Sequence, residues 1–523
     1  MKHLLRVKLI VSLLLFSAIF LAGLTNEDVK AQPSKNEESL SIGKNHLPES
    51  RTVTQLTTGV THTEISRGYK SDKAYYTVDI DFFDERDEAE ALSANLKDDG
   101  YQTEIHQVKN LHKKSTDVTD KKIGYVVRTG KFKQKQQADD LAAQVKADGY
   151  QGASVAYSEY DGTTKTTGPW KLDVIEIDPD QFKGELTNVL ANDKIQERET
   201  VLSMARRKNA IAGMNGGYFV VGSRDGTPGD PAGAYIVDGH LVSEAIGERT
   251  SLLLSENQAE MAEVSTALSL QLEDGTTEVI DGINRKPGLI RSCGGVGDEP
   301  ANLPKHDVTC TDESEIIQYN HFFGDTTPQG KGYEVVIDES GKVIETYSQL
   351  GHQIPEKGNV ISATGEQAKW LEEEATIGDT LTINEKVYAD GRQIDTPATL
   401  DLTSGGPQLL ENSTINIQAQ EEGFRWSKDF YYHFAQYRHP RSLAGIKENG
   451  NILLVTVDGR NPEKSIGLSF YESAEVLRSL GAIEGMNLDG GGSTTMVADN
   501  QIVNLPSDPA GERPVSDGIF LLE

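Results

Sequence analysis

Apolar and polar residues alternate with two different periods along the chain, and this alternation divides the sequence into segments. From about residue 166 onward, short apolar runs with a period of two predict strands, among them Trp170–Ile177 and Asn451–Val457. Two stretches in this region have clear helical spacing, Glu197–Lys208 and Phe470–Leu480. Each precedes a strand that ends in a glycine-rich motif. The pattern predicts an α+β domain with a mixed sheet, in which two helix–strand units deliver their motifs to one cleft.

Residues 71–160 contain an internal repeat. An apolar strand that starts at Tyr75 is followed by a helical run that stops at Gly100, and the same order recurs with its stop at Gly149, 49 residues later. A second strand follows each helix. Two such halves predict a βαββαβ unit of the ferredoxin-like type, with a four-stranded antiparallel sheet and both helices on one face.

The stretch before the repeat also alternates like a strand. Residues 51–70, which include Thr52–Arg67, therefore predict the first strand of the same domain that continues at Trp170. In that arrangement the repeat is an insertion into the domain. Such an insertion costs little folding free energy when the ends of the inserted unit lie close together. Two domains in series are the alternative.

The first 31 residues predict an export signal, because basic residues precede an uncharged apolar run and small residues before Ala31 provide a cleavage site. An uncleaved membrane anchor is the alternative, and only then would the chain contact a membrane. Residues 32–50 are polar and predict a disordered leader. We therefore expect a secreted protein.

Charge and cysteine content narrow the possibilities further. The 81 acidic residues outnumber the 51 basic ones, which gives a net charge of −30 and makes free nucleic acid an improbable partner. Cys293 and Cys310 lie in one glycine-rich loop of an exported chain, so a disulfide that closes the loop is the simplest interpretation. Two free thiols, or a metal pair with His306, are the alternatives.

The strongest candidate site is the stretch Gly485–Met496, in which Asp489 follows an apolar strand and precedes three glycines. Consecutive glycines let backbone N–H groups converge on an anion, and neighbouring hydroxyls add donors. The pattern predicts a phosphate-binding turn beside a carboxylate; a tight turn capped by Asp489 is the alternative. The predicted binding residues of this stretch are Asn487, Gly490, Gly491, Gly492, Ser493 and Thr494.

This stretch resembles the signature of the phosphodiester glycosidase family. Four further stretches resemble that family in the same chain order: Gly213–Phe219, Thr403–Pro407, His439–Ser442 and Val457–Arg460. The resemblance covers about residues 166–523. It implies hydrolysis of a sugar that is attached through its anomeric carbon to a phosphodiester.

The resemblance directs attention to two carboxylates and to several cations. Asp489 is the predicted nucleophile or general base, and Asp458, at the end of a buried strand, is the second candidate. Arg441 is the main candidate for bidentate phosphate binding, with Arg460 and Arg285 as weaker ones. For each aspartate a capping role, and for each arginine a salt bridge, is the alternative.

Other residues of the motifs suit supporting roles. His439 is predicted to be an acid, a base or a hydrogen-bonded structural residue. Donors to sugar hydroxyls or phosphate are predicted at Asn215, Gly216, Gly217, Gly405 and Gly406. The metal content is undecided: the acidic residues Asp225, Asp230 and Asp458 could hold a structural calcium ion, but no strict calcium-loop spacing is present.

The repeat resembles a SPOR domain, which implies binding to the glycan strands of peptidoglycan. The alternative is that most of its aromatic residues are core residues, namely Tyr76, Phe82, Tyr101, Tyr125, Phe132 and Tyr150.

Together the resemblances imply a cell-wall-associated hydrolase that cleaves sugar-1-phosphodiester bonds in a wall polymer or exopolysaccharide. Two other functions are compatible with the same residues. One is a non-catalytic glycan-binding protein of the envelope. The other is a glycoside hydrolase that acts on peptidoglycan itself, which would need a second, protonated carboxyl group for its poor leaving group.

Overall fold

The computed structural model describes residues 39–110, 122–162, 164–293 and 303–523. Strands dominate these residues and helices are few, which confirms the predicted α+β class. The predicted export signal, residues 1–31, lies outside the described residues. In the part of the chain that is described, no helix has the length and apolar character needed to cross a membrane.

An antiparallel eight-stranded sheet carries most of the motifs. Its strands, in spatial order, are Glu49–Thr57, Val60–Arg67, Trp170–Ile177, Ile452–Val457, Arg441–Lys447, Ala482–Asn487, Gln408–Glu411 and Thr414–Ile415. The strands that flank the repeat are direct neighbours, because Val60 pairs with Ile177 and Arg67 pairs with Trp170. The chain therefore leaves this sheet to form the repeat and returns to the adjacent position.

A five-stranded sheet packs against the first one. Its strands, in spatial order, are Gln501–Ile502, Met496–Ala498, Ala212–Asn215, Asp517–Leu522 and Glu185–Leu190. Buried residues of both sheets, such as Met214, Ile519, Leu454 and Met486, form one apolar cluster. This shared core brings the end of Ala212–Asn215 next to the end of Ala482–Asn487.

Two further sheets and a short strand pair complete this part of the molecule. The larger sheet contains His240–Ser243, Tyr235–Val237, Leu400–Ser404, Arg249–Ser255, Gln258–Gln271, Thr382–Ala389 and Arg392–Ile394, with Thr277–Val279 paired to its long strand. The smaller sheet contains Gly282–Ile283, Ile316–Tyr319, Asn359–Ala363, Tyr333–Ile337 and Val343–Tyr347. The strand pair is Ile290–Arg291 with Thr309–Cys310.

The helices outside the repeat are short. They are the α-helices Val201–Lys208, Gly365–Glu374, Lys428–Tyr431 and Phe470–Ser479, the 3₁₀ helices Ala191–Asp193 and Gly491–Ser493, and the π-helix Tyr432–Gln436. The first predicted helix begins four residues later than expected, because the Thr200 side chain accepts from Ser203 N and caps it there. Ser469 and Glu472 form a capping box at the start of the second predicted helix.

The repeat folds as predicted. Its antiparallel strands, in spatial order, are Thr103–Lys109, Lys122–Phe132, Tyr76–Phe83 and Ser154–Tyr157, and its helices are Arg86–Asp98 and Lys135–Ala147. The helices cover one face of the sheet, where apolar residues from the sheet and from both helices form a separate core. Of the six aromatic residues assigned to a core, Tyr101 and Tyr125 are buried in this one.

The opposite face of the repeat's sheet is buried against the rest of the chain. Phe82 stacks on Tyr432, with ring centroids 5.7 Å apart, and belongs to the apolar cluster that surrounds Trp170. The buried Arg128 donates to Asp79 Oδ1 at 2.7 Å and to Tyr432 Oη at 3.1 Å. The repeat and the other sheets therefore share one core instead of being joined by linkers alone.

The predicted disordered leader is wrong from residue 39 onward, while residues 32–38 lie outside the described part. Leu40 and Ile42 are 1% and 2% exposed and pack in the cluster around Trp170. The first strand then begins at Glu49. The stretch is polar on average, but two apolar side chains at alternate positions are sufficient to fix it to the core.

Candidate active site

The turn that carries Asp489 is held from behind by Asn215. Asn215 Nδ2 donates to Asp489 O at 2.7 Å, while its Oδ1 accepts from Ser442 Oγ at 2.7 Å and from Thr495 N at 3.2 Å. These bonds connect the ends of strands from both packed sheets. Asn215 is therefore a structural link that fixes the turn, and it has little capacity left for the predicted contact with a sugar.

The four glycines predicted to donate to a ligand use their N–H groups within the protein. Gly216 N and Gly217 N donate to Asp517 O and Oδ1, both at 3.1 Å. Gly405 N and Gly406 N donate to Thr250 O at 3.1 Å and Asn487 O at 2.8 Å. A Cβ on Gly217 would lie 2.2 Å from Ser404 O. These glycines serve close packing, which corrects the predicted role.

Two of the glycines after Asp489 leave room for arginine side chains. Gly491 has a φ of 61°, and a Cβ there would lie 3.1 Å from Arg460 Nη2. A Cβ on Gly492 would lie only 2.0 Å from Arg513 Nη2. The turn lacks side chains at these positions because guanidinium groups occupy the space beside it.

A cavity of about 180 Å³ opens beside Asp489. Of the residues predicted for the site, Asp489 alone is among those that line it. The lining residues are Tyr218, Phe219, Val221, Ala232, Arg291, Ser292, His306, Asp307, Phe434, Asp489 and Arg513. The cavity therefore combines one carboxylate from a recognisable motif with polar groups from distant parts of the chain.

The Asp489 carboxyl is partly exposed. Burial raises its pKa to about 7, while the neighbouring Ser493 hydroxyl and the Arg513 guanidinium act in the opposite direction. Asp307 adds a second negative charge nearby and contributes to the increase. The group is therefore poised between its neutral and ionised forms near neutral pH, as a general base or nucleophile requires.

The disulfide between Cys293 and Cys310 is confirmed, which excludes the two alternatives for these cysteines. The described residues on either side of it, 290–293 and 303–310, are called the disulfide arm below. It brings Arg291, Ser292, His306 and Asp307 to the cavity. Arg291 donates to the backbone oxygen of Asp307 at 2.7 Å and also pairs with the Asp307 carboxylate. The arm's own charges are thus largely balanced.

Aromatic rings form one wall of the cavity. The His306 ring lies 4.2 Å from Tyr218 and 4.8 Å from Phe434, measured between centroids. Tyr218 Oη donates to Gly406 O at 3.0 Å and accepts from Asn487 Nδ2 at 2.7 Å. Burial lowers the pKa of His306 well below its usual value, so this imidazole is neutral.

Arg441 is buried and His439 is half-buried next to the cavity, but neither lines it. Arg441 donates to Leu468 O at 3.0 Å and Phe434 O at 2.7 Å, and burial lowers its pKa to about 10. His439 Nε2 lies 2.6 Å from His433 O. Burial also lowers the pKa of His439, to about 3. Arg441 thus holds the segment that carries Phe434, and His439 fits the structural alternative.

The remaining predicted cations have different environments. Arg285 is buried and bonded to Glu244 and Glu315, with a 2.8 Å contact to Glu244 Oε1. It is a structural ion pair, which corrects its predicted role in phosphate binding. Arg460 borders Gly491 and lies 3.4 Å from Ser507 Oγ. Of the three predicted phosphate-binding arginines, Arg460 thus adjoins the turn directly.

Asp458 is not brought to the cavity. Its Oδ1 accepts from Leu505 N at 2.8 Å and from Asn504 Nδ2 at 3.3 Å, so it ties a later loop to the end of its strand. Burial raises its pKa to about 6. Asp458, the second candidate carboxylate, therefore does not line the cavity with Asp489 and fits the capping alternative. The second carboxylate that lines the cavity is Asp307.

Calcium remains a prediction. Across residues 39–110, 122–162, 164–293 and 303–523, no three His, Cys, Asp or Glu side chains converge as a metal site requires. Asp225 instead accepts from Thr309 Oγ1 at 2.9 Å, and Asp230 lies near Glu244 and Arg285. The calcium proposal therefore depends on the sequence alone.

Comparison with known proteins adds a direct test of the resemblances. The sequence pattern of the phosphodiester glycosidase family matches residues 331–522, and that of the SPOR domain matches residues 72–157. The mouse protein N-acetylglucosamine-1-phosphodiester alpha-N-acetylglucosaminidase is 32% identical over 112 residues, or 21% of this chain and 21% of the mouse protein. The match thus spans about a fifth of that curated relative.

Solved structures extend the similarity to almost the whole chain. A candidate exported protein from Burkholderia pseudomallei superimposes with a TM-score of 0.86 at 32% identity, over 94% of this chain and 100% of that one. A hypothetical protein from Synechocystis has a TM-score of 0.53 at 19% identity, over 91% of this chain and 76% of the other, and shares the fold.

The fold and these matches together define a domain with the phosphodiester glycosidase pattern and, inserted in it, a SPOR domain. Residues 331–522 match the phosphodiester glycosidase family, and residues 72–157 match the SPOR domain. Both resemblances seen in the sequence are therefore confirmed.

Sequence reasoning missed most of the cavity for an identifiable reason. Tyr218 lies within the motif Gly213–Phe219, but the sequence predicts ligand binding only at the residues before it. His306 was considered only as a metal ligand, and Arg291 and Arg513 lie outside every motif. The disulfide was the available signal, because a covalently closed loop brings its neighbours to a fixed place.

Proposed function

We propose that the protein hydrolyses sugar-1-phosphodiesters, with Asp489 as the group that acts at the anomeric carbon. The observation that carries the proposal is a partly exposed carboxyl with a pKa near 7, fixed by backbone contacts, in a cavity that also contains Arg291 and Arg513. The match of residues 331–522 to the phosphodiester glycosidase family supports the reaction class. The sequence motifs support the choice of Asp489.

The chemistry of such a bond suits this set of residues. A phosphate leaving group departs without strong protonation, so the reaction depends mainly on one carboxylate and on cations that hold the phosphate. Asp489 would attack the anomeric carbon directly or remove a proton from the attacking water. The aromatic wall of Tyr218 and Phe434 would face the sugar or its acyl substituent.

We propose further that the substrate is a wall polymer or exopolysaccharide, and that the SPOR domain holds the secreted enzyme on peptidoglycan. Because one face of its sheet is buried, glycan would bind elsewhere on the domain. A polar groove of about 410 Å³, which includes Tyr75, Gln102, Glu104 and Lys131, is the candidate surface. A sugar ring could stack on Tyr75 while its hydroxyls meet the polar side chains.

The test is hydrolysis of UDP-N-acetylglucosamine and a panel of other sugar-1-phosphodiesters. With wild type we expect reducing sugar to appear in equal amounts with the second product, which is UDP from UDP-N-acetylglucosamine and a phosphomonoester from each sugar-1-phosphodiester. Asp489→Asn should lower kcat by about 10²-fold or more, since a catalytic carboxylate is lost. Asp499→Asn makes the same change at an exposed turn and should leave the rate unchanged.

Two results would contradict the proposal. Undiminished hydrolysis by Asp489→Asn would remove Asp489 from the mechanism. The absence of reducing sugar from every donor, together with binding of purified wall glycan, would favour the non-catalytic glycan-binding function.

A further inference from the structure

The end of the cavity formed by the disulfide arm contains buried polar atoms that no described residue satisfies. Ser292 Oγ and His306 Nδ1 have no hydrogen-bond partner among the residues described, and the two side chains are 1% and 3% exposed. Both residues line the cavity. Buried polar groups are nearly always paired, so two orphans at one end of a cavity indicate a missing polar ligand.

A buried cation lies directly behind this end. Arg249 is 1% exposed, and its guanidinium lies 5.0 Å from the Phe424 ring, which is itself 4.6 Å from the His306 ring. Arg249 Nε donates to Glu422 O at 3.1 Å. Its Nη1 and Nη2, by contrast, have no partner in the described chain.

The nearest carboxylates do not neutralise Arg249 directly. Glu422 accepts instead from Gln408 N at 2.7 Å and from Thr250 N at 3.0 Å. Asp307 is paired with Arg291. Arg438 offers a contrast, because it is equally buried but has Glu472 Oε1 at 2.7 Å. Arg249 thus has no direct ion pair, although the Glu422 and Asp307 carboxylates act on it from a distance. A buried charge without a direct partner is costly unless an anion offsets it.

We propose that this end of the cavity is the phosphate subsite, in which Ser292 donates to a phosphate oxygen and Arg249 supplies the balancing charge from behind His306. This inference rests on the proposed function and assigns the two halves of the substrate to opposite ends of the cavity. The sugar lies on the Asp489 side and the phosphate on the side of the disulfide arm. The glycine turn then positions the carboxylate and does not hold the phosphate.

Binding of inorganic phosphate tests the assignment without any turnover. Isothermal titration calorimetry on wild type, Ser292→Ala and Arg249→Met should show about tenfold or more weaker binding in both variants, because each loses a charged hydrogen bond or a counter-charge. Ser255→Ala, outside the cavity, should bind as wild type does. Asp489→Asn should bind phosphate equally or more tightly, since it removes a negative charge.

Several results would overturn the assignment. Wild type that does not bind phosphate, variants at Ser292 and Arg249 that bind it unchanged, or loss of binding in Asp489→Asn would each do so. The last result would return the phosphate to the glycine turn. These results differ from a failure of the proposed hydrolysis. If the protein binds phosphate with this mutational pattern but cleaves no donor, the phosphate subsite stands and the hydrolysis proposal fails.

A second readout separates a binding role of Arg249 from a structural one. Without phosphate, Arg249→Met should raise Tm, because a long apolar side chain replaces an unpaired buried charge. Arg438→Met should lower Tm, because it leaves Glu472 buried without its partner. A decrease in Tm for Arg249→Met similar to that for Arg438→Met would identify Arg249 as a structural cation and contradict the proposal.

Discussion

The backbone of Asp489 is held by hydrogen bonds, and its carboxyl forms no salt bridge within the described residues. Its N–H donates to Gly216 O at 3.2 Å and its carbonyl accepts from Asn215 Nδ2 at 2.7 Å. The position of the side chain is therefore fixed at its Cα atom, while the carboxylate is not tied up in a salt bridge. This combination makes the pKa of the group sensitive to the cavity around it.

The pH dependence of activity should report this pKa. If Asp489 acts in its ionised form, kcat/KM rises with pH between about 6 and 8, with a midpoint near the pKa of about 7. The measurement is kcat/KM on the best donor across that range. A profile that is flat or falls from pH 6 to 8 would contradict a carboxylate role.

The Asp489 carboxyl should also make stability depend on pH, and stability should fall with rising pH whereas activity increases. A carboxyl whose pKa is higher in the folded state than in the unfolded chain binds protons more tightly when folded, so stability falls as pH rises from about 4 to about 7. Asp489→Asn removes this loss. At pH 8 the variant should be more stable than wild type by about 1–3 kcal/mol, with little difference near pH 4.

Chemical denaturation at both pH values measures this difference. Asp499→Asn again serves as the control, since it should not change the pH dependence. Equal stability of Asp489→Asn and wild type at pH 8 would mean that the pKa is not raised by the fold.

Among the elements, the disulfide arm contributes most to the cavity outside the motifs. The antiparallel pair Ile290–Arg291 and Thr309–Cys310 fixes its base. The disulfide links residues 17 apart at the same place. Ser292, His306 and Asp307 extend from this base into the cavity. The disulfide therefore helps to hold residues that we propose bind the ligand.

Removal of the disulfide should therefore affect both stability and substrate affinity. For a loop of this length, Cys293→Ser with Cys310→Ser should lower the free energy of unfolding by about 3 kcal/mol. KM should rise more than kcat falls, because Asp489 lies on a different element. Denaturation and steady-state kinetics measure the two effects. Addition of a reductant should reproduce them in wild type but change nothing further in the double variant.

At the scale of the whole molecule, the SPOR domain is integrated into the core. The segment 428–436 packs on its sheet through Tyr432 and also supplies Phe434 to the cavity. The insertion begins and ends at adjacent strands of the eight-stranded sheet. This arrangement connects the domain that is proposed to bind glycan with one wall of the candidate active site.

Because the core is shared, we expect the SPOR domain and the rest of the chain to unfold in one calorimetric transition. Phe82→Ala removes the ring that stacks on Tyr432 and should separate this into two transitions, at a cost of about 2 kcal/mol. Phe83→Ala is the matched control, because Phe83 packs in the domain's own core. It should lower Tm while leaving a single transition. Two transitions in wild type would contradict a shared core.

Features that are local in sequence could be predicted well. The period of the repeat located its strands and helices, and the adjacency of Asp489 to three glycines identified the central carboxylate. The prediction failed where function was assigned to residue type alone. Gly216 and Gly405 have the composition of an anion-binding turn, but their N–H groups are used by neighbouring strands. Arg285 has the chemistry of a phosphate ligand, but buried glutamates pair with it.

The order of apolar and polar residues was thus sufficient to specify the α+β class, the repeat and the family, because each depends on neighbours along the chain. The composition of the cavity depended on tertiary structure. Residues between Tyr218 and Arg513 meet there only because two sheets pack together and a disulfide closes an arm over them. Burial, which no single segment specifies, then raises the pKa of Asp489 to about 7 and leaves Nη1 and Nη2 of Arg249 without a partner in the described chain.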